Sequence, residues 1–266
     1  MVAGMDAIAT SGLDGVIALG SMGEFYTVSA KEFDQLVDTI SDKAPSQLAT
    51  VVGCSYQNTE ECLRRVQYAQ ERGIDAAMVM PPYYLNVNQE EALEHYRIID
   101  EKSDRIQIMA YNFPPASRFN ITPEFWEKLV KFESITAVKE SHGDLFHITR
   151  VIKEYGGRIS VFAGSEGWFF PMSVLGSKSL VSIFGYALPA LVKKFYDTCR
   201  SGNKEDALRM HNKFVDAMWF IDTYNEVAWL KALSEICGRN VGPPRPPYSK
   251  LDPVHYSSLE TWVKSL

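Results

Sequence analysis

Residues 135–144 read ITAVKESHGD, and how this stretch is read decides the fold. Ile135–Val138 is apolar and rich in β-branched residues, without the alternation of a strand that has one wet face. The strand expected over Ile135–Glu140 is therefore covered on both sides, as in a parallel sheet layered with helices. It closes on Lys139, so the side chain at its carboxyl end carries an amine in otherwise apolar company.

The same texture recurs on either side. GVIALG (15–20), LATVVGC (48–54), AAMVM (76–80) and IQIMAYN (106–112) precede it, and SVFAG (160–164) and SLVSIFG (179–185) follow. Helical stretches with start signals lie between these runs. Ser29 precedes AKEFDQLVDTI with Glu32 three residues on, a capping box. Asn58 opens TEECLRRVQYAQERG, Gln89 leads EEALEHYRIIDEK, and Thr122-Pro123-Glu124 is a helix start with proline in the first turn. Alternation of strand and helix predicts parallel strands joined by right-handed crossovers. Seven strands are counted where a closed (β/α)8 TIM barrel has eight, and the chain opens in what reads as the end of a first helix (GMDAIATSG). A barrel whose first strand is missing and an open doubly wound sheet both remain compatible with this α/β pattern. From Pro189 to Gly238 consecutive helices are expected, followed by GPPRPPYSKLDP and a short closing helix. The expected organisation is a barrel domain over 1–188 and a helical extension over 189–266 packed on it.

Composition narrows the function. The chain has 266 residues, 46% of them hydrophobic and 23% charged, with net charge −6 and a pI near 5.5. Lys and Arg are scattered, which argues against nucleic acid as a partner. No apolar run reaches membrane-span length and the N-terminus lacks a signal-peptide pattern, so a cytoplasmic protein is expected. Cys54, Cys62, Cys199 and Cys237 form no CxxC pair and the five histidines no HExxH, so neither disulfide nor metal is expected.

In parallel α/β folds, reactive groups collect at the carboxyl ends of strands. Lys139 is the most informative of them. Exclusion of water favours its neutral amine, the form that attacks a carbonyl; pairing with Glu140 or reaching out to solvent is the alternative. Tyr111 ends the neighbouring strand, and its phenol is placed to relay protons, unless it is simply a core aromatic. Gly20-Ser21-Met22-Gly23-Glu24 puts glycines around a turn whose N–H groups can hold a carboxylate, although many such turns are only turns. It lacks the ending of a phosphate-binding P-loop. Gly164-Ser165-Glu166 and Lys139-Glu140-Ser141 complete the strand ends.

Taken together, GSMGEFYTVS, PPYY, YNFP, AVKESHGD, the GSE segment and the late GPPRPP, in that order and at these intervals, resemble the dihydrodipicolinate synthase/N-acetylneuraminate lyase family from about Gly15 to Arg245. The resemblance implies a (β/α)8 barrel with a C-terminal helical extension, tetrameric or at least homo-oligomeric, without metal or cofactor. It implies Lys139 as the Schiff-base lysine and Tyr111 as proton relay. Ser21 would bridge the relay and bind the pyruvate carboxylate together with the N–H groups of Ser21 and Met22, and Val181 would touch the ketoacid. Tyr84 would enter the neighbouring subunit's site, with Ser141, Gly164 and Glu166 around the substrate and Glu24 structural.

Two departures stand out. Met22 replaces a second hydroxyl, and Ala116 stands where synthases carry an arginine, with Arg118 at a usual glycine. The expected activity is therefore a lyase or aldolase joining or splitting pyruvate and an aldehyde, on a 2-oxo-3-deoxy sugar acid. The alternatives are a sugar-acid dehydratase, a dihydrodipicolinate synthase of the same family, or a non-catalytic ketoacid-binding homologue.

Overall fold

The computed structural model describes residues 2–223 and 225–266, the side chains of 2, 3, 220, 222 and 223 aside. Seven strands form one parallel sheet: β1 (Gly15–Ala18), β2 (Ala49–Gly53), β3 (Ala76–Val79), β4 (Gln107–Asn112), β5 (Ile135–Glu140), β6 (Ser160–Ala163) and β7 (Ser179–Leu180). They lie side by side in sequence order. A doubly wound sheet reverses its strand order part-way, and this one does not, so the open-sheet alternative is excluded. Helix α1 (Val2–Thr10) precedes β1. Helices α2 (Ala30–Lys43), α3 (Thr59–Glu71), α4 (Gln89–Glu101), α5 (Pro114–Ser117), α6 (Pro123–Leu129), α7 (Leu145–Tyr155) and α8 (Glu166–Val174) fill the crossovers. Helices α9 (Pro189–Arg200), α10 (Lys204–Thr223), α11 (Glu226–Ile236) and α12 (Pro253–Lys264) end the chain.

The sheet is curled. Tyr186, beyond β7, lies so close to α1 that a Cβ on Gly4 would fall 2.1 Å from its ring, and the Leu13 side chain reaches within 3.7 Å of a Cβ built on Gly185. Residues before β1 thus meet residues after β7. Among the described residues there is no eighth strand and no pairing of β1 with β7: where a barrel short of its first strand is expected, the structure has a curled parallel sheet of seven strands. No helix among them is long and apolar enough to cross a membrane.

Local signals place most helix starts. Ser29 Oγ accepts from Glu32 N at 3.3 Å, while Glu32 Oε2 accepts from Ser29 N at 3.0 Å, closing the capping box. Asn58 and Thr122 cap α3 and α6. For α4 the cap is Asn88, which accepts from Glu91 N; the Gln89 side chain instead donates to Asn120 O and accepts from Thr122 N. The seventh strand ends at Leu180, short of the expected Gly185. The Glu166 carboxylate draws Ser182, Ile183 and Phe184 to itself, and the chain peels away from the ladder.

The two faces of the sheet differ. Val52, Ala77, Val79, Ile108, Ala110, Val138 and Ala163 face the helices and are fully buried. Register and alternation put Ile17, Val51, Met78, Met109, Tyr111, Lys139 and Phe162 on the other, concave face. One irregularity interrupts this order. Ile108 lies opposite Ile135 but Met109 lies opposite Ala137, so Thr136 is an extra residue in β5, a bulge.

Between α3 and α4 the His95 ring is buried, with Nδ1 2.9 Å from Thr59 Oγ1. Burial holds this imidazole down at about 4, so it folds neutral. In the unfolded chain it would take up its proton near 6.5. Its share of stability is therefore complete above that value and lost as pH falls from about 6.5 to 4, amounting to roughly 3 kcal/mol. Urea denaturation of wild type and His95→Gln at several pH values checks this: the variant should lose less stability across that interval.

Candidate active site

Tyr111 and Lys139 are register partners near the carboxyl ends of β4 and β5. Both are almost wholly buried, and the Lys139 Nζ stands 4.3 Å from the Tyr111 ring centroid. The Tyr111 ring stacks in turn on Phe113, at 5.6 Å and 11°, which fixes its plane. Neither Lys139 Nζ nor the Tyr111 hydroxyl is consumed by a side-chain hydrogen bond among the described residues, although the sequence offered Glu140 next door as a partner. Strand alternation explains this: Glu140 points to the opposite face.

Ser21 and Met22 lie in a short 3₁₀ turn, Ser21–Gly23, directly after β1. Gly23 N donates to Gly20 O and Glu24 N to Ser21 O, leaving the Ser21 hydroxyl and the N–H groups of Ser21 and Met22 outside the turn's own bonding. The turn is held from behind. Glu24 is buried in the left-handed region (φ 55°). Its carboxylate takes Lys231 Nζ of α11 at 2.6 Å and Arg245 N at 2.8 Å. Arg245 also pairs with Glu32 at 2.8 Å. The GPPRPP segment and α11 thus clamp the loop, a tie the sequence did not announce because its partners lie over 200 residues apart. Gly53 lets the loop seat: a Cβ there would fall 1.8 Å from Leu19 O.

Val181 is buried, and its N–H donates to Ala163 O at 2.8 Å. It sits two residues beyond Ser179, which is in register with Phe162 and hence on the face of Lys139. Ser141 packs against Gly164, where a Cβ would come within 1.8 Å of its Oγ. Tyr84 is not brought to Lys139: it is 78% exposed, with φ 89°. Glu166 is fully buried and bonded to Ser182 Oγ and to the N–H groups of Ile183 and Phe184. Its carboxylate is committed to the loop after β7, and among the described residues nothing joins it to Lys139 or Tyr111.

A profile of the dihydrodipicolinate synthetase family matches residues 5–266. The chain belongs to that family. A 4-hydroxy-tetrahydrodipicolinate synthase of Syntrophus aciditrophicus is 32% identical over 80% of this chain and 74% of its own. Another, from Methanospirillum hungatei, is 30% identical over 90% and 82%. Among solved structures, a putative dihydrodipicolinate synthetase from Pseudomonas aeruginosa superposes with a TM-score of 0.93 at 27% identity, covering 99% of this chain and 91% of that one. A prophage protein of the family from E. coli K12, solved in complex with pyruvate, shares the fold with a TM-score of 0.92 at 24% identity, covering 99% and 90%. The family's members are lyases, pyruvate-dependent class I aldolases, and this chain is an enzyme of that kind.

Sequence reading missed what stands behind Lys139 and Tyr111. Asn112 Nδ2 donates to both Glu140 oxygens, at 3.0 and 2.9 Å, and His147 Nε2 lies 3.7 Å from Glu140 Oε2. His142 stacks on His147 at 4.1 Å. Burial first, and then His147, hold His142 below the usual imidazole range. The signal was available as two polar residues ending adjacent strands that are otherwise apolar.

Burial pushes the Glu166 carboxyl up to about 7 against the opposing pull of the Ser182 hydroxyl and the N–H groups of Glu166, Ile183 and Phe184. A carboxyl whose folded value exceeds its unfolded 4.5 keeps its proton longer when folded. Its contribution is full below about 4.5 and declines as pH rises towards 7, a loss of roughly 3 kcal/mol. Glu166→Gln should flatten that decline in denaturation midpoints measured from pH 5 to 8.

Proposed function

We propose that the chain forms a Schiff base between Lys139 and pyruvate, and joins or splits a C–C bond between pyruvate and an aldehyde, with a 2-oxo-3-deoxy sugar acid as the cleaved species. The observation that carries this reading is the buried amine of Lys139 over the Tyr111 ring, with no carboxylate partner among the described residues. The Lys139 amine adds to C2 of the 2-oxo acid, and the carbinolamine loses water to give the imine, with protons passing through the Tyr111 phenol. The imine accepts the electron pair of the breaking C3–C4 bond as the Tyr111 phenolate takes the proton of the C4 hydroxyl. An aldehyde leaves, and the enamine is protonated and hydrolysed to pyruvate and free amine. Ser21 and the N–H groups of Ser21 and Met22 hold the carboxylate, and Val181 lines the ketoacid; Ser141 and Gly164 shape the wall beside Lys139, and Glu166, at the start of α8, supports it by holding the loop after β7. Pyruvate as the ketoacid gains support from family structures solved with it, from E. coli and Acinetobacter baumannii.

A second reading, dihydrodipicolinate synthase, is favoured by the names of the relatives. Against it, Ala116 offers no guanidinium for a second carboxylate, a pairing worth roughly 2–5 kcal/mol where it is buried. Incubation with pyruvate and borohydride followed by peptide mapping is expected to label Lys139 and nothing in Lys139→Ala. Product analysis on 2-oxo-3-deoxy-gluconate, 5-oxo-4-deoxyglucarate, and pyruvate with aspartate semialdehyde then separates lyase, dehydratase and synthase. A folded wild type that takes no label would leave a non-catalytic ketoacid binder.

The assembly belongs to the same proposal. One further strand between the facing edges of β1 and β7 would close the sheet into an eight-stranded barrel, with residues 189–266 as an extension bracing it. Tyr84, exposed and with φ 89°, serves the site of a neighbouring copy in a cytoplasmic homo-oligomer, a dimer or tetramer. Analytical ultracentrifugation should show that oligomer, and Tyr84→Ala should lower turnover while leaving Lys139 labelling in place.

A further inference from the structure

The helix-facing side of the sheet is largely apolar, and it carries a buried carboxylate where β4 and β5 end. There Asn112 and Glu140, exposed by 1% and 0%, stand opposite one another one residue beyond the Tyr111–Lys139 pair. A carboxylate placed in such an interface costs several kcal/mol unless its oxygens are satisfied. Here every bond it makes is to a neighbour that fixes the strand ends. Asn112 Nδ2 reaches both oxygens, and His142 N donates to Oε1 at 2.8 Å. The backbone continues the same stitching: Ser141 N donates to Asn112 O, and Gly164 N to Glu140 O. Beyond this the His147 ring approaches both Asn112 Nδ2, at 3.4 Å, and Glu140 Oε2, at 3.7 Å. His142, stacked on His147, has Nε2 2.6 Å from Asn120 Oδ1. The acceptor is a carbonyl oxygen, so Nε2 carries the hydrogen.

We propose that Asn112 and Glu140 are positioning residues for the Schiff-base step, locking the ends of β4 and β5 so that Tyr111 and the Lys139 amine keep their mutual placement, with His147 as the outer support of the carboxylate. This inference rests on the assignment of Lys139 as the imine-forming residue. Neither residue touches the concave face, so their action is through the backbone they share with Tyr111 and Lys139. An amine and a phenol that must serve one carbonyl carbon tolerate little misplacement, and small displacements are costly in rate. Loss of the clamp should therefore slow imine formation while leaving the carboxylate pocket at Ser21 and Met22, on the other side of the mouth, able to bind.

The test is the rate of pyruvate adduct formation, trapped with cyanoborohydride across a range of pyruvate concentrations, in wild type, Glu140→Gln, Asn112→Ser, the double variant and His147→Gln. The maximal rate is expected to fall about tenfold in Glu140→Gln and Asn112→Ser, with half-saturation by pyruvate unchanged within about twofold. The double variant should be no slower than the worse single one, since both changes break one clamp. His147→Gln should show the same signature at roughly threefold, and it decides the matter if Glu140→Gln does not fold. Wild-type maximal rates in folded variants would overturn the proposal, as would rate and half-saturation changing together or fully additive losses. Failure of the wild type itself to form an adduct would instead remove the Schiff-base assignment beneath it.

Discussion

Strand β5 meets β4 in two phases. Ile135 lies opposite Ile108, yet the next pair is Ala137 with Met109, because Thr136 bulges out of the ladder. Carried on without that extra residue, the first phase would set Val138 opposite Tyr111 and Lys139 opposite Asn112. The amine would then face the helices, and Glu140 would turn into the concave face, since a one-residue slip exchanges the two faces of a strand. The bulge is fastened on its exposed side by Thr136 Oγ1 donating to Gln107 Oε1 at 3.0 Å. Which face Lys139 and Glu140 take depends on that single inserted residue.

The second constraint acts across the whole chain length. The turn that carries Ser21 and Met22 ends in Glu24, and a buried carboxylate there is stable only while its partners are in place. Lys231 comes from α11 and the Arg245 N–H from the segment after it, so the C-terminal helices are part of the site's frame. The Lys231 ammonium also donates to Pro243 O at 2.9 Å, tying α11 to the proline-rich segment at the point where both reach Glu24. Breaking a buried pair by removing one partner typically costs about 3–5 kcal/mol. The extension is therefore coupled to the Ser21–Gly23 turn by more energy than a surface helix would supply.

How much of this was legible in the sequence follows from the range of each interaction. Helix starts depend on residues three apart, and Ser29, Asn58 and Thr122 are found where their patterns place them. Buried strands reveal themselves by unbroken apolar runs, and Lys139 and Tyr111 stand out because they break those runs at the carboxyl ends. The end of β7 was not legible. Ser179–Gly185 is apolar enough for a longer strand, and only the distant Glu166 carboxylate, gathering Ser182, Ile183 and Phe184, shortens it. The same holds for the Thr136 bulge, since a single strand's sequence does not show its phase against its neighbour. The clamp of Glu24 by Lys231 and Arg245 lies beyond any local pattern.

Polar groups on the two faces of β4 and β5 are treated in opposite ways, and the difference has a physical basis. On the concave face Tyr111 and Lys139 make no side-chain hydrogen bond among the described residues, which suits groups that exchange protons and bonds with a ligand. On the helix face the Glu140 carboxylate is held by the Asn112 amide at both oxygens and by the His142 N–H at one. An apolar pair of similar volume in that position would pack without any desolvation cost. It would also leave the two strand ends joined only by backbone bonds and by contacts that carry no direction. A carboxylate gripped by an amide has directional preferences, so it resists sliding and twisting in ways that apolar contact does not. In a sheet whose β1 and β7 edges are unpaired with each other, the central β4–β5 seam is where such resistance is most useful to the two residues that share it.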